Sequence, residues 1–141
     1  MKLKEKVSQA FNSEQELVSV IVGDFLKRKL KVITEVQLFE RYIDVFAYDT
    51  NRHYAIEVKL KSPYNAFKQA LRYRIISDYT YVAVPKNSTN NTAIRLAQET
   101  GIGLILVTKK DNSYYLEVAV ESVLSGCKDD RITDYIVQLA N

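Results

Sequence analysis

Three residues, Asp44, Glu57 and Lys59, have the types and the spacing that metal-dependent phosphodiester cleavage requires. A pair of carboxylates can converge on a hard cation, which prefers oxygen ligands. A lysine beside them can orient or deprotonate the attacking water and offset the charge of the phosphate. Whether these residues can act together depends on the elements that position them.

Two neighbouring strands are predicted to bring these side chains onto one face of a sheet. Residues 41–48 and 53–60 are rich in Tyr, Ile, Val and Phe, and the segment between them has turn chemistry. A tight turn at that point pairs Asp44 directly with Glu57, and directly opposed side chains have Cβ atoms roughly 5 Å apart. Lys59 lies two residues beyond Glu57 and therefore on the same face.

Composition limits the classes of function. The 141 residues suffice for one domain and are too few for two. A single cysteine excludes an internal disulfide, and a single histidine, His53, makes a His-rich metal site or a Ser-His-Asp triad improbable. Any metal must therefore be held mainly by oxygen, with His53 expected at the surface. The net charge of +3 is compatible with nucleic acid, but alone it indicates only solubility.

The chain is also predicted to be a cytoplasmic protein without a membrane partner. No apolar run reaches the length that spans a bilayer. The lysines near the start are not followed by the apolar segment of a secretory signal.

Hydrophobic periodicity predicts an α/β fold with a mixed sheet flanked by helices. Ser13 is expected to cap a helix that runs to about Lys29, with Glu16 completing a capping box. Further strands are predicted near 32–39, 79–84, 104–107 and 114–120, and further helices at about 63–77, 92–100 and 129–140. The resulting order is α-β-β-β-α-β-α-β with additions.

This order, together with Asp44 and the Glu57-Val58-Lys59 tripeptide, resembles the PD-(D/E)XK nuclease superfamily. The resemblance implies a restriction-endonuclease-like fold with an αβββαβ core. It covers roughly residues 13–107 of a single domain spanning 1–141, with 108–141 as C-terminal additions.

A second motif refines the resemblance. Gln69 and Tyr73 lie four residues apart in the predicted helix 63–77 and so share a face. This Gln-x-x-x-Tyr pattern resembles the RecB-like branch, which implies that the pair supports DNA positioning beside the active site. The alternative is a half-buried tyrosine and a solvated glutamine. The proline of the superfamily's name is absent, since Ile43 precedes Asp44, but many members lack it.

The family often places a glutamate on the first helix, and Glu14 and Glu16 are the two candidates. On a helical wheel, Glu14 lies roughly 40° from the centre of the apolar stripe, whereas Glu16 points nearly opposite. We therefore predict that Glu14 serves the site and that Glu16 caps the helix. The alternative is that both carboxylates only favour the helix N-terminus electrostatically.

Taken together, the resemblance implies a divalent-metal-dependent nuclease that hydrolyses DNA. Asp44, Glu57 and the backbone carbonyl of Val58 would hold one or two Mg²⁺ ions, for which Mn²⁺ should substitute. Glu14 would join them directly or through water, and Lys59 would position the attacking water. Basic residues nearby could contact phosphates, although each alone is more typical of a solvated helix face. They are Lys61, Lys68, Arg72 and Arg74.

Three alternatives stay open at this point. The first is a homodimeric nuclease similar to Holliday-junction resolvases. The second is a module on the nuclease fold that binds DNA or protein without cutting. The third is an interaction protein in which the GIGLILV segment, residues 101–107, and the tyrosine-rich strands build a dimer interface.

Overall fold

The computed structural model describes residues 9–38 and 40–139, so the predicted strand end at 39 and helix end at 140 lie outside the described residues. The helices are α1 (Glu14–Lys27), α2 (Pro63–Ala70), α3 (Asn91–Thr100) and α4 (Asp130–Leu139). The strands are β1 (Lys31–Leu38), β2 (Arg41–Tyr48), β3 (His53–Val58), β4 (Tyr79–Pro85), β5 (Gly103–Lys110) and β6 (Ser113–Val120). Their order confirms the predicted α/β architecture.

The strands of the described chain form one six-stranded mixed sheet in the order β1-β2-β3-β4-β5-β6. The first three strands and the β5–β6 pair are antiparallel, whereas β3, β4 and β5 are parallel. Parallel neighbours need crossover connections, which α2 and α3 supply. This arrangement is compatible with the predicted αβββαβ nuclease-like core. Across residues 9–38 and 40–139, no helix combines the length and hydropathy needed to cross a membrane.

Two apolar layers cover the two faces of the sheet. On one face, α1 buries Leu17, Val18, Ile21 and Phe25, whereas Val22, the fifth residue of the apolar stripe that the sequence predicts, is half-buried. On the other face, α2, α3 and α4 pack on the sheet through side chains that include Phe67, Ala97 and Ile136. The predicted site lies at the C-terminal end of β3.

Two predicted boundaries near the site differ from the structure. The predicted helix 63–77 is α-helical only as far as Ala70 and continues as a 3₁₀ turn over Leu71–Ile75. The amide nitrogens of Ile76 and Ser77 both donate to the carbonyl of Tyr73, which tightens and ends this segment. The strand predicted for 53–60 ends at Val58, because the chain then leaves the sheet toward α2.

The GIGLILV segment is internal to the sheet. β5 pairs with β4 on one side and with β6 on the other, and Ile102 and Leu104 are fully buried. The segment is therefore not available as the dimer interface that the sequence suggested, since its side chains are already used in the core.

Gly103 is expected to be essential for stability, because it lets Tyr81 pack closely on β5. An added Cβ would clash with the Tyr81 ring and lie 2.7 Å from the backbone nitrogen of Ser122. The ring cannot easily move, since it is 8% exposed and its hydroxyl donates to Glu121 at 2.9 Å. We expect Gly103→Ala to lower the free energy of unfolding by about 1–3 kcal/mol, measured by urea denaturation.

A glycine in α1 provides the matched control. An added Cβ at Gly23 meets nothing within 4 Å, and the residue lies in the middle of a helix. Gly23→Ala should raise the free energy of unfolding by about 1 kcal/mol, because alanine favours the helix. Destabilisation of both variants to the same extent would contradict the packing role of Gly103.

Candidate active site

The pairing between β1 and β2 is irregular beside the candidate site. The β1–β2 ladder is interrupted where Glu35 meets Asp44, and Glu35 has φ of 53°, in the left-handed region. Val45 packs in the apolar layer of α1, whereas Ile43, two residues earlier, packs in the layer of α2. Residues 43 and 45 therefore face opposite sides of the sheet, although residues two apart in a regular strand share a side. Strand β2 is thus twisted at Asp44.

The twist in β2 brings the Asp44 carboxylate onto the backbone of β3. The β2–β3 ladder has the predicted register but ends at the Val45–Ile56 pair, one pair before Asp44 and Glu57. Instead of a ladder bond, the Val58 backbone amide donates to Oδ2 of Asp44 at 2.8 Å. This hydrogen bond, rather than a pair of ladder bonds, thus holds Asp44 beside Glu57.

Glu57 is buried and is held by a tyrosine. Its side chain is 5% exposed, at the C-terminal end of β3. The Tyr73 hydroxyl donates to Oε1 of Glu57 at 2.8 Å and lies 3.2 Å from the backbone carbonyl oxygen of Tyr42. Tyr73 is itself 3% exposed, so this contact is shielded from solvent. Tyr73 of the Gln-x-x-x-Tyr motif therefore forms a hydrogen bond with Glu57 of the Glu-x-Lys motif.

The burial of these groups changes their acidities. Burial, and then the neighbouring Asp44 charge, raises the pKa of Glu57 to about 7. Burial also raises the pKa of Asp44, although the hydrogen bond from Val58 opposes this change. Burial and the Glu57 carboxylate raise the pKa of the Tyr73 phenol, which therefore acts as a donor at neutral pH. At neutral pH, Glu57 is therefore partly protonated unless a bound cation stabilises its carboxylate.

Glu14 lies at the edge of this group. Its Oε2 atom accepts a hydrogen bond from the Leu60 backbone amide at 3.3 Å, which joins the start of α1 to the end of β3. Its charge also contributes to the raised pKa values of Asp44 and Glu57. Of the two candidate glutamates, Glu14 lies near Asp44 and Glu57, and its role at the site stays a prediction.

Glu16 forms contacts that stabilise the start of α1. The Glu16 amide donates to the Ser13 hydroxyl at 3.1 Å, and the Asn12 amide donates to the Glu16 carboxylate at 2.7 Å. The same carboxylate binds Lys109 at 2.6 Å and Tyr114, and the Lys109 hydrogen bond holds the pKa of Glu16 at about 2. Glu16 therefore caps α1, as predicted, and also ties it to β5 and β6.

The two remaining members of the predicted set differ in their involvement. Lys59 is half-buried directly after β3, and its charge lowers the pKa of both Asp44 and Glu57 against the effect of burial. Gln69 is half-buried on α2. Within the described part of the chain, the side-chain amide of Gln69 forms no hydrogen bond. The structure therefore brings Tyr73, but not Gln69, into contact with Glu57.

The four predicted phosphate-binding residues lie between β3 and β4. Lys61, Lys68 and Arg72 are exposed, whereas Arg74 is half-buried. Among the described residues, no ion pair neutralises any of the four. Their charges are available to an anion, but nothing in the fold gathers them into a pocket.

Sequence reasoning missed two residues around the site, Glu35 and Arg41. Glu35 and Tyr42 line a cavity of about 240 Å³ together with Glu14, Gln15, Val18, Thr34 and Asp44. The exposed Arg41 is near enough to Tyr73 for its charge to lower the tyrosine's pKa against burial. Extending the hairpin register from β2 back to β1 would have found Glu35, but no sequence signal marks Arg41.

The oxygen ligands available near Asp44 and Glu57 meet the requirements of a hard cation only in part. Carboxylate oxygens from Asp44 and Glu57 and a backbone carbonyl are ligands that Mg²⁺ accepts, with water completing its shell. Across residues 9–38 and 40–139, no three His, Cys, Asp or Glu side chains form a group that could hold a metal ion. A cation there would rest mainly on two carboxylates, and Glu14 is not gathered with them into a third ligand.

His53 is not the exposed histidine that the sequence suggested. Its side chain is 16% exposed, its ring stacks with that of Tyr48, and its Nδ1 atom lies 3.0 Å from Nζ of Lys128. Asp78 accepts hydrogen bonds from Lys128 and from the His53 backbone amide. This cluster lies at the start of β3, at the opposite end from Glu57.

The hydroxyl of Tyr73 provides a test of the site. In Tyr73→Phe, Glu57 loses a hydrogen bond that lowers its pKa, while the ring continues to fill the core. For the cleavage activity that the sequence predicts, we expect the rate to fall by about 10–100-fold, as for other groups that orient a ligand, and the acidic limb of the pH–rate profile to move to higher pH. A variant with the wild-type profile and rate would show that the contact only supports the fold.

Comparison with known proteins shows the fold. No model of a protein family matches this sequence, and no curated protein is similar to it in sequence. A protein of unknown function from Silicibacter pomeroyi has the same fold, with a TM-score of 0.64 and 15% identity over 86% of this chain and 79% of that one.

Two further solved structures are more distant. Pyrococcus furiosus SfsA in complex with Ca²⁺ has a TM-score of 0.46 and 11% identity over 77% of this chain and 64% of that one. An fdxN element excision controlling factor from Anabaena variabilis has a TM-score of 0.47 and 14% identity over 73% of this chain and 98% of that one. Similarity at this level carries no argument about function.

Proposed function

We propose that this protein is a divalent-metal-dependent nuclease that hydrolyses phosphodiester bonds in DNA. The observation that carries the proposal is the buried Glu57, which Tyr73 holds beside Asp44 at the end of β3. Burying two neighbouring carboxyl groups is costly unless a proton or a cation accompanies them. A stable fold has little reason to bury Glu57 beside the half-buried Asp44, whereas a site for a hard cation has one.

The ligands we propose for Mg²⁺, or for Mn²⁺ in its place, are Asp44, Glu57 and the backbone carbonyl of Val58. Glu14 would contribute directly or through water, in accordance with its position beside Leu60. When bound, the cation would neutralise charge on the phosphate and make a coordinated water more acidic.

The protein's own groups would orient the reactants. The Val58 amide fixes the Asp44 carboxylate, and the Tyr73 hydroxyl fixes that of Glu57, so neither needs to reorganise when substrate binds. Lys59 would hold the attacking water and share the negative charge of the scissile phosphate. Gln69 would assist DNA positioning, as in the RecB-like branch, although it would have to reorient to reach the site.

Basic residues would position the DNA backbone. We propose Lys61, Lys68, Arg72 and Arg74 for this role, since salt-dependent phosphate contacts require cations that are free to bind. Their spread along the segment between β3 and β4 is typical of weak, sequence-independent contact rather than of base reading.

The function is tested by incubating the purified protein with linear duplex, single-stranded, plasmid and four-way-junction DNA. Cleavage is expected with Mg²⁺ or Mn²⁺ and is expected to stop with EDTA. Preference for the junction, together with a dimeric mass in solution, would favour a homodimeric resolvase-like enzyme. A folded protein that binds DNA but cuts none of these substrates with either metal would replace the nuclease by a binding module.

A further inference from the structure

Tyr42 presents an unpartnered aromatic ring next to the candidate active site. It is 58% exposed, although it lies in β2 only two residues before Asp44. Its side chain lines the cavity of about 240 Å³ that Asp44 and Glu14 also line. Throughout the described residues, no other aromatic ring lies against it.

The backbone of Tyr42 is held firmly while its ring is open. The Tyr73 hydroxyl lies 3.2 Å from the Tyr42 carbonyl oxygen and binds Glu57 at the same time. The backbone of Tyr42 is therefore linked to the carboxylate pair through one tyrosine. A flat, exposed tyrosine ring is a suitable surface for stacking, because its side chain has only two torsion angles and little conformational freedom is lost when a partner binds.

The charges around the cavity determine what can occupy it. Glu14, Glu35 and Asp44 all line it, so without a bound cation it repels a phosphate, whereas an uncharged base can enter. A cation for the adjoining phosphate lies next to Tyr42 in the chain, since Arg41 is exposed and, within residues 9–38 and 40–139, has no ion-pair partner.

We propose that Tyr42 stacks on one unpaired base of the substrate and that Arg41 holds its phosphate, so that the protein acts on single-stranded DNA. In an intact duplex both faces of each base are already stacked on neighbours, so only an unpaired nucleotide can offer a face to the ring. This inference rests on the proposed nuclease function and specifies its substrate class.

The test uses two substitutions at Tyr42 and one at a matched tyrosine. Tyr42→Ala removes the ring but leaves the backbone carbonyl near Tyr73, whereas Tyr42→Phe keeps the ring. Tyr115→Ala is the control, because Tyr115 is 57% exposed and lies on β6, at the opposite edge of the sheet. Binding of a fluorescent single-stranded oligonucleotide is measured by anisotropy, and cleavage of the same strand is measured with Mn²⁺.

Tyr42→Ala is expected to weaken binding and to raise KM for the single strand about tenfold, the loss typical of one base–aromatic stack, with a smaller change in kcat. Tyr42→Phe and Tyr115→Ala should match the wild type. Wild-type affinity in Tyr42→Ala, or preferential cutting of intact duplex, would overturn the subsite and leave the nuclease function standing. Tyr42-dependent binding of the single strand without any cleavage would support the subsite and overturn the nuclease function.

Discussion

Replacing Asp44 with Asn or Glu57 with Gln is expected to abolish metal-dependent cleavage while the protein stays folded. Each change removes a negative charge from the pair proposed to hold the cation, and a bound metal contributes several kcal/mol to stabilisation of the transition state. Because each 1.36 kcal/mol corresponds to a factor of ten, we expect cleavage rates to fall by about a thousandfold or more.

The structure explains why folding should survive these changes. Glutamine keeps an oxygen that can accept the Tyr73 hydrogen bond, and asparagine keeps one that can accept from the Val58 amide. Each variant also relieves the repulsion between two neighbouring carboxyl groups. The loss of cleavage would therefore report on chemistry rather than on unfolding.

The measurement is single-turnover cleavage with saturating Mn²⁺, beside circular dichroism and thermal melting. Glu117→Gln provides a matched control, since this exposed glutamate on β6 is paired only with Lys86 in the described chain and is remote from β3 in the strand order. Wild-type cleavage by folded Asp44→Asn or Glu57→Gln would show that the carboxylate pair does not carry the activity.

In the absence of divalent cations, the protein is expected to lose stability as the pH rises from 5 to 8. The pKa of Glu57 is about 7 in the folded protein and 4.5 for an ordinary glutamate, so the folded state binds a proton more tightly than the unfolded chain. The resulting stabilisation is complete below pH 4.5 and is lost as the pH rises through 7. Its size is about 3 kcal/mol, since the pKa of Glu57 lies at about 7 instead of 4.5 and one pKa unit corresponds to about 1.36 kcal/mol.

Neighbouring groups modify this dependence in predictable directions. The raised pKa of Asp44 acts in the same direction as that of Glu57. The lowered pKa of Glu16, about 2, acts in the opposite direction, but only where the pH falls below the ordinary glutamate value of 4.5. The lowered pKa of His53, which follows from its burial, also acts in the opposite direction at pH values below 6.5. A decline in stability above pH 5 should therefore be assigned to the carboxylate pair.

The pH effect is measured by urea denaturation in EDTA at several pH values. Glu57→Gln should make the profile flatter, and Glu117→Gln should leave its slope unchanged. Adding Mg²⁺ to the wild type at pH 8 should restore stability, because a ligand that binds only the folded state stabilises it. Equal slopes in the wild type and Glu57→Gln would contradict the raised pKa of Glu57.

Much of this protein follows from local sequence patterns. Alternating apolar residues and turn chemistry predict the strands and the register of β2 on β3, and Ser13 and Gly101 mark helix ends. The sequence also identifies Asp44 and Glu57 as a pair. These features are predictable because helices, strands and tight turns depend on residues a few positions apart.

The sequence does not predict how the strand is distorted at the site. Nothing in the pattern around Asp44 shows that β2 is twisted there, opposite the left-handed Glu35. The distortion depends on which apolar layer receives Ile43 and which receives Val45, and that choice is made only when two faces of a sheet are packed simultaneously.

Tertiary packing also decides which polar groups meet. The sequence proposes that Tyr73 belongs to the site, but only the fold brings its hydroxyl to Glu57 and near the carbonyl of Tyr42. Likewise, His53 meets Lys128 from 75 positions away along the chain. Such contacts join elements that are distant in sequence, and periodicity carries no information about them. The sequence by itself thus determined the elements and the pairing of Asp44 with Glu57, whereas packing between layers determined the burial, the hydrogen bonds and the pKa values of these carboxylates.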